Sequence, residues 1–213
     1  LQKTADARKA LVRCIQMDPK YSEAYFALGK LCMSEGRMPA AEHRLNAFIR
    51  LQPKDARGYT QLARCLSGTR RAEEAIRVLQ KGREALPADT TILNLLAQTY
   101  SSLEQLDNAV AAYKESLRLD AQQAHCYSNL GGVLDRIPGN EEEAEACHLK
   151  AIELEPELWN AYSNLANFLR TVHRLDEAEQ ILRTTLEKDP ENFELHTTLG
   201  LVLLSAGKLG EGF

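Results

Sequence analysis

The side chains with chemistry to offer are few, and the most regularly placed of them are asparagines. Asn129 and Asn164 stand in two copies of the stretch YSNL, at 127–130 and 162–165. An asparagine amide carries both donor and acceptor, so it can pair with a peptide backbone whatever side chains that backbone bears. Asn160, Asn164 and Asn167 follow one another at the spacing of a single helical face. Other candidates for chemistry have simpler readings. Cys147 and His148 are adjacent, and neighbours on a helix point about 100° apart, so they do not converge on one metal ion. The acids of EEEAE at 141–145 could be paired carboxylates, but a solvated helix start explains them better, since the helix dipole favours acids there. GKLGEGF at 207–213 fits neither the dinucleotide nor the phosphate-loop pattern, and Gly207 falls where Gly36 falls in an earlier turn. No catalytic, metal or cofactor site is expected, and the chain by itself is not expected to be an enzyme.

Composition narrows the classes further. The chain has 213 residues, 44% hydrophobic and 26% charged, enough to bury a large core. It has no apolar run of about 18 residues, so no membrane span is expected. Five cysteines without a C-x-x-C pair read as half-apolar helix filler in a reducing, cytoplasmic compartment. The net charge of −4 is unevenly divided: bases outnumber acids over 1–89, and acids outnumber bases over 90–213. In an elongated fold this makes one half basic and the other acidic, unless these are only solvated faces. Nucleic-acid binding would need a basic stripe interleaved with aromatic platforms, and aromatics are too few, so no nucleic-acid partner is expected.

What positions the asparagines is a repeat. The pairs Leu28-Gly29, Leu62-Ala63, Leu96-Ala97, Leu130-Gly131, Leu165-Ala166 and Leu199-Gly200 recur every 34 residues, with one step of 35. With Ser22 as position 1, position 4 holds Tyr25, Tyr59, Leu93, Tyr127, Tyr162 and His196. Position 20 holds Ala41, Ala75, Ala109, Ala144 and Ala178. Proline closes the unit at Pro19, Pro53, Pro87, Pro156 and Pro190. Positions 4, 7, 8 and 11 share one helical face, and positions 20, 24 and 27 share a face of a second helix. Small residues at 8 and 20 let the two helices approach closely. Proline stops the second helix and pushes the residue before it out of helical geometry. The longer step lies at Pro138-Gly139-Asn140, where Asn140 is expected to cap the following helix and the turn could form a functional lip.

This pattern resembles the tetratricopeptide repeat over essentially the whole chain. The resemblance implies an all-α, right-handed superhelical solenoid of antiparallel helix pairs. The expected units are a partial repeat at 1–21, full repeats at 22–55, 56–89, 90–123, 124–158 and 159–192, and a partial repeat at 193–213. Ala121 in place of proline, Phe48 and Gly82 at position 27 and His148 at position 24 depart from the pattern and call for local repacking. Partial units at both ends suggest that more protein lies on one or both sides.

In such a solenoid the first helix of each pair lines a groove. Positions 2, 5, 6, 9, 12 and 13 then supply Phe26, Lys30, Arg57 and Arg64 in the first two repeats, Asn94 and Gln98 in the third, and Ser128, Asn129, Asn160, Ser163, Asn164, Asn167 and Arg170 later. Segment 126–170 is similar to the repeats of O-linked N-acetylglucosamine transferase, which carry an asparagine ladder at position 6; Ala27, Gln61, Leu95 and Thr198 break that ladder here. The carboxylate clamp of cochaperone repeats is missing its first sites, which here are Phe26/Lys30 and Gln61. Lys30, Arg57 and Arg64 could still attract an acidic segment near the N-terminal half. The expected function is a non-catalytic scaffold that binds a protein or peptide in its groove. The alternatives are the substrate-recognition module of a larger group-transfer enzyme, self-association by end stacking, or polar residues with no partner.

Overall fold

The computed structural model describes residues 2–207, and among them all regular structure is helical. The helices are α1 (Gln2–Met17), α2 (Ser22–Ser34), α3 (Met38–Leu51), α4 (Ala56–Ser67), α5 (Ala72–Ala85), α6 (Thr90–Ser102), α7 (Leu106–Leu119), α8 (Ala124–Leu134), α9 (Glu141–Leu154), α10 (Trp159–Thr171), α11 (Leu175–Leu186) and α12 (Phe193–Ser205). The fold class is the expected one, an all-α helical-repeat solenoid. Two compact units divide it, residues 1–108 and 109–213, with the division inside α7. In the first unit α1 to α6 pack each on the next, and α4 also packs on α2 and on α6. In the second unit α10 packs on both α8 and α12 to form an inner row of that unit, flanked by α9 and α11. The reading of Lys208 and Leu209 as part of a turn, with the rest of the partial repeat beyond 207, lies outside the described residues.

Pro53, Pro87 and Pro156 act as expected. Gln52, Leu86 and Glu155 precede them at φ −132°, −140° and −141°, outside helical geometry, and the helices stop there. Where Ala121 replaces proline, Gln123 takes over: its Nε2 donates to the carbonyls of Asp120 at 2.7 Å and Ser116 at 3.2 Å, satisfying the end of α7. Three inner helices start on a side-chain cap: Asp55 accepts from the Arg57 N–H, Asp89 from Ile92 and Asn192 from Leu195. Asn140 does not cap α9. Its amide turns back to the Ile137 carbonyl at 3.2 Å, while the Glu141 carboxylate accepts the Gly139 N–H at 3.1 Å. Its own backbone N–H first, and then that of Gly139, hold the Glu141 carboxyl below its ordinary pKa.

The turn inside most repeats has a left-handed residue at position 15; in the longer fourth repeat it is Gly139, one position later, at φ 87°. Gly36 and Gly207 take φ of 72° and 75°, but Arg70, Glu104 and His173 take 60°, 58° and 63° at the same place. The departures at position 27 are explained by size exchange across the repeat boundary. Phe48 is fully buried because position 3 of the next repeat is Gly58, whose added Cβ would stand 2.8 Å from the Phe48 ring. One repeat on, an added Cβ on Gly82 would meet Tyr59 of its own repeat at 2.9 Å and Ile92 of the next at 3.2 Å. His148 is accommodated within its own repeat: an added Cβ on Gly131 would meet its ring at 2.6 Å, and its Nε2 reaches Asp135 at 3.1 Å.

Candidate functional site: the inner helix row

In the first unit the row presents an aromatic and cationic cluster. Phe26 packs on Phe48 with ring centroids 5.0 Å apart. The Arg57 guanidinium lies 4.9 Å from the Phe26 centroid and 5.5 Å from that of Phe48. It is also held at 2.6 Å by Glu23 and at 2.7 Å by Asp55. These hydrogen bonds raise the Arg57 pKa, Asp55 being the larger cause, and Arg57 in turn lowers that of Asp55. Arg57 is therefore engaged within the chain. Lys30 is exposed, 5.9 Å from the Phe26 centroid, and Arg64 is exposed. Neither forms an ion pair among the described residues. Gln98 is exposed on α6, and Asn94 is half-buried and has an intramolecular partner.

In the second unit the row is amide-rich. Asn160 is exposed; Asn129, Asn164 and Asn167 are half-buried. Asn164 donates through Nδ2 to the Ser128 hydroxyl at 2.9 Å, joining α10 to α8. Asn129, Asn160 and Asn167 make no side-chain hydrogen bond among the described residues. Ser128 and Ser163, expected to face the groove, are buried between repeats. The reason is geometric: position 5 turns toward the adjacent inner helix. Position 6 of α12 is Thr198, which bonds the carbonyl of Glu194 instead of reaching Ser163, so the Ser163 hydroxyl is buried without a partner.

Two features escaped the sequence reading. Arg71 bridges Glu42 of the preceding repeat at 2.7 Å and Glu74 of its own at 2.5 Å. Arg174 repeats this with Glu145 and Glu177, both at 2.6 Å. An arginine at position 16 followed three residues later by an acid was the available signal. These forks lie outside the inner row and tie repeats together. All five cysteines are free thiols; Cys14 is exposed and the others are buried. Burial pushes the Cys126 thiol up to about 12 and the Cys147 thiol up to about 11. Among the described residues no three His, Cys, Asp or Glu side chains gather into a metal site. No described helix is long and apolar enough to cross a membrane.

Comparison with known proteins bears on the same elements. Three family profiles, each described as Tetratricopeptide repeat, match residues 1–60, 90–123 and 149–180. Protein O-mannosyl-transferase TMTC1 of Mus musculus is 27% identical over 170 residues, covering 78% of this chain and 18% of that protein. The STIP1 homolog of Dictyostelium discoideum is 32% identical over 98 residues, covering 46% of this chain and 17% of that protein. The chain thus spans less than a fifth of the length of these relatives. Among solved structures, a tetratricopeptide repeat protein from Parabacteroides merdae matches with a TM-score of 0.76 at 19% identity, over 90% of this chain and 75% of that one. YrrB, described as a TPR protein with an unusual peptide-binding site, matches with a TM-score of 0.67 at 17% identity, over 95% and 100%. At such identities the likeness speaks for the fold. The recurring helix pair, its exchange of small and large residues and the matched profiles agree, and the chain belongs to the tetratricopeptide repeat proteins.

Proposed function

We propose that this chain is a protein-interaction scaffold that holds an extended peptide segment along its inner helix row. The observation that carries this is the set of amides on α8 and α10: Asn129, Asn160 and Asn167 have no partner among the described residues, and Asn164 uses only one of its donors. Amides at helical spacing suit recognition of a peptide backbone, which offers N–H and C=O in alternation. In the first unit, the unpaired cations Lys30 and Arg64 at position 9 of successive inner helices suit an acidic stretch of the partner. Arg57 is a structural member of that face. The description of YrrB as having a peptide-binding site supports the same reading by analogy of fold.

The test is selection from a randomised peptide library on the 213-residue chain, followed by titration of the selected peptides. Asn129→Ala with Asn167→Ala should weaken them by about 1–3 kcal/mol. Unchanged affinity, or no peptide selected, sinks the reading. A second reading takes its cue from the O-mannosyl-transferase relatives, of which the chain covers only 18–19%: the chain would be the substrate-recognition part of a longer transferase, with chemistry performed elsewhere in that protein. The same peptides would then be modified by the longer protein, and groove variants would lower turnover.

A further inference from the structure

The 35-residue step builds something that the regular repeat does not. In the unit 109–213, a cavity of about 240 Å³ opens between the turn after α8 and the end of α10. Leu134, Ile137 and Pro138 supply one side, the last of them from the stretch with the extra residue; Phe168, Thr171 and Val172 supply the other. Small-molecule pockets run roughly 300–1,000 Å³, so this volume suits one aliphatic side chain better than a free ligand.

The charges around the cavity decide what should accompany that side chain. Asp135 is taken by His148 at 3.1 Å, and Glu141 by the Gly139 N–H at 3.1 Å. Arg136 has an intramolecular partner. Arg170 precedes Thr171 of the cavity wall in sequence and does not itself line the cavity. Its Nε–H is buried without an acceptor, and no carboxylate pairs with it among the described residues. A guanidinium with no carboxylate partner among the described residues keeps an unpaired positive charge, and its planar fork matches a carboxylate. Arg170 continues the stripe of Asn160 and Asn167, at the helical spacing of one face.

We infer that the cavity and Arg170 form one subsite, which receives an aliphatic side chain and a carboxylate side chain of an extended peptide lying along α10. Alternate side chains of an extended strand share a face, so the two lie two residues apart. The inference rests on the groove reading above and names the part of the partner recognised there.

The test uses immobilised nonapeptides of an Ala/Ser/Gly frame centred on Leu-Ala-Asp or Asp-Ala-Leu, read with the 213-residue chain. The companions carry Asn for Asp, Lys for Asp or Gly for Leu. At least one of the two orders should bind about tenfold better than its Asn and Gly companions. Arg170→Gln should erase the Asp-over-Asn difference and keep the Leu-over-Gly difference. Thr171→Phe, which fills the cavity from its exposed wall, should do the reverse. Circular dichroism melts report whether the variants fold, and the Asp-over-Asn ratio of the unaltered chain needs no variant. Equal binding of Asp and Asn peptides overturns the inference. If library peptides bind and respond to Asn129→Ala and Asn167→Ala but ignore Arg170→Gln and Thr171→Phe, the groove stands and this subsite falls. If no peptide of either set binds, both fall.

Discussion

The Tyr59 hydroxyl donates to the carbonyl of Pro53, six residues earlier, at 3.0 Å. Tyr162 does the same to Pro156 at 3.0 Å and Tyr25 to Pro19 at 3.2 Å, and His196 reaches the Pro190 carbonyl through Nε2 at 2.8 Å. Proline ends the outer helix and leaves carbonyls without helical partners; the first turn of the next inner helix supplies a donor. Tyr59→Phe should therefore lower stability by about 1 kcal/mol. Tyr127→Phe, where Ala121 replaces proline and no such bond is formed among the described residues, should cost less. Equal loss in the two variants, measured by urea unfolding, would assign the tyrosines to packing alone.

Left-handed backbone at Arg70, Glu104 and His173 is a second place where sequence and geometry are at odds. Each holds a side chain where Gly36 and Gly207 hold none. A non-glycine residue there costs roughly 1–2 kcal/mol, partly offset by the entropy a glycine loses on folding. Arg70→Gly and His173→Gly should each raise the Tm, and Gly36→Ala should lower it. Differential scanning calorimetry checks all three.

The Phe48–Gly58 exchange makes a paired prediction. Gly58→Ala places a methyl group 2.7 Å from Ile49 Cγ1 and 2.8 Å from the Phe48 ring, and should cost about 1–3 kcal/mol. Adding Phe48→Leu should restore part of the loss, although Phe48→Leu alone should destabilise the protein. A double-mutant cycle with no coupling would show that the two residues pack independently.

The inner-row amides should separate binding from folding. Asn160→Ala and Asn167→Ala should weaken selected peptides and leave the melt almost unchanged. Asn164→Ala should lower both, because it also removes the 2.9 Å bond to Ser128. A melt unmoved by Asn164→Ala would mean that this bond adds nothing to stability.

Asp55 should leave a mark on the acid limb of stability. Its pKa is lowered, first by the hydrogen bonds from the Arg57 side chain and then by the Arg57 backbone N–H. A carboxyl whose folded pKa lies below its unfolded value contributes stability above the unfolded value, about 4, and loses it as pH falls through the folded one. Asp55→Asn should flatten the loss of stability below about pH 4 and matter little to its slope near pH 7. Urea midpoints from pH 2 to 7 test this, and parallel curves for the two proteins would rule it out.

Much of this protein could be read from residue order alone. The 34-residue step, the small residues at positions 8 and 20 and the prolines carry the helix pairs, because each is a local signal: periodicity selects the face, and proline stops the helix wherever it stands. The asparagine stripe was legible for the same reason, since residues three and four apart on a helix must share a face. What pairs with what was decided by tertiary structure. Arg57 and Arg64 look alike in sequence, yet one lies on two phenylalanine rings between two carboxylates and the other is unpaired. Asn164 and Asn129 hold the same position, but Asn164 reaches Ser128 on a helix 36 residues earlier. Phe48 departs from its family position only until Gly58 is placed against it. Such pairings depend on side chains from successive repeats meeting at hydrogen-bond or van der Waals distance, and no local pattern encodes that distance.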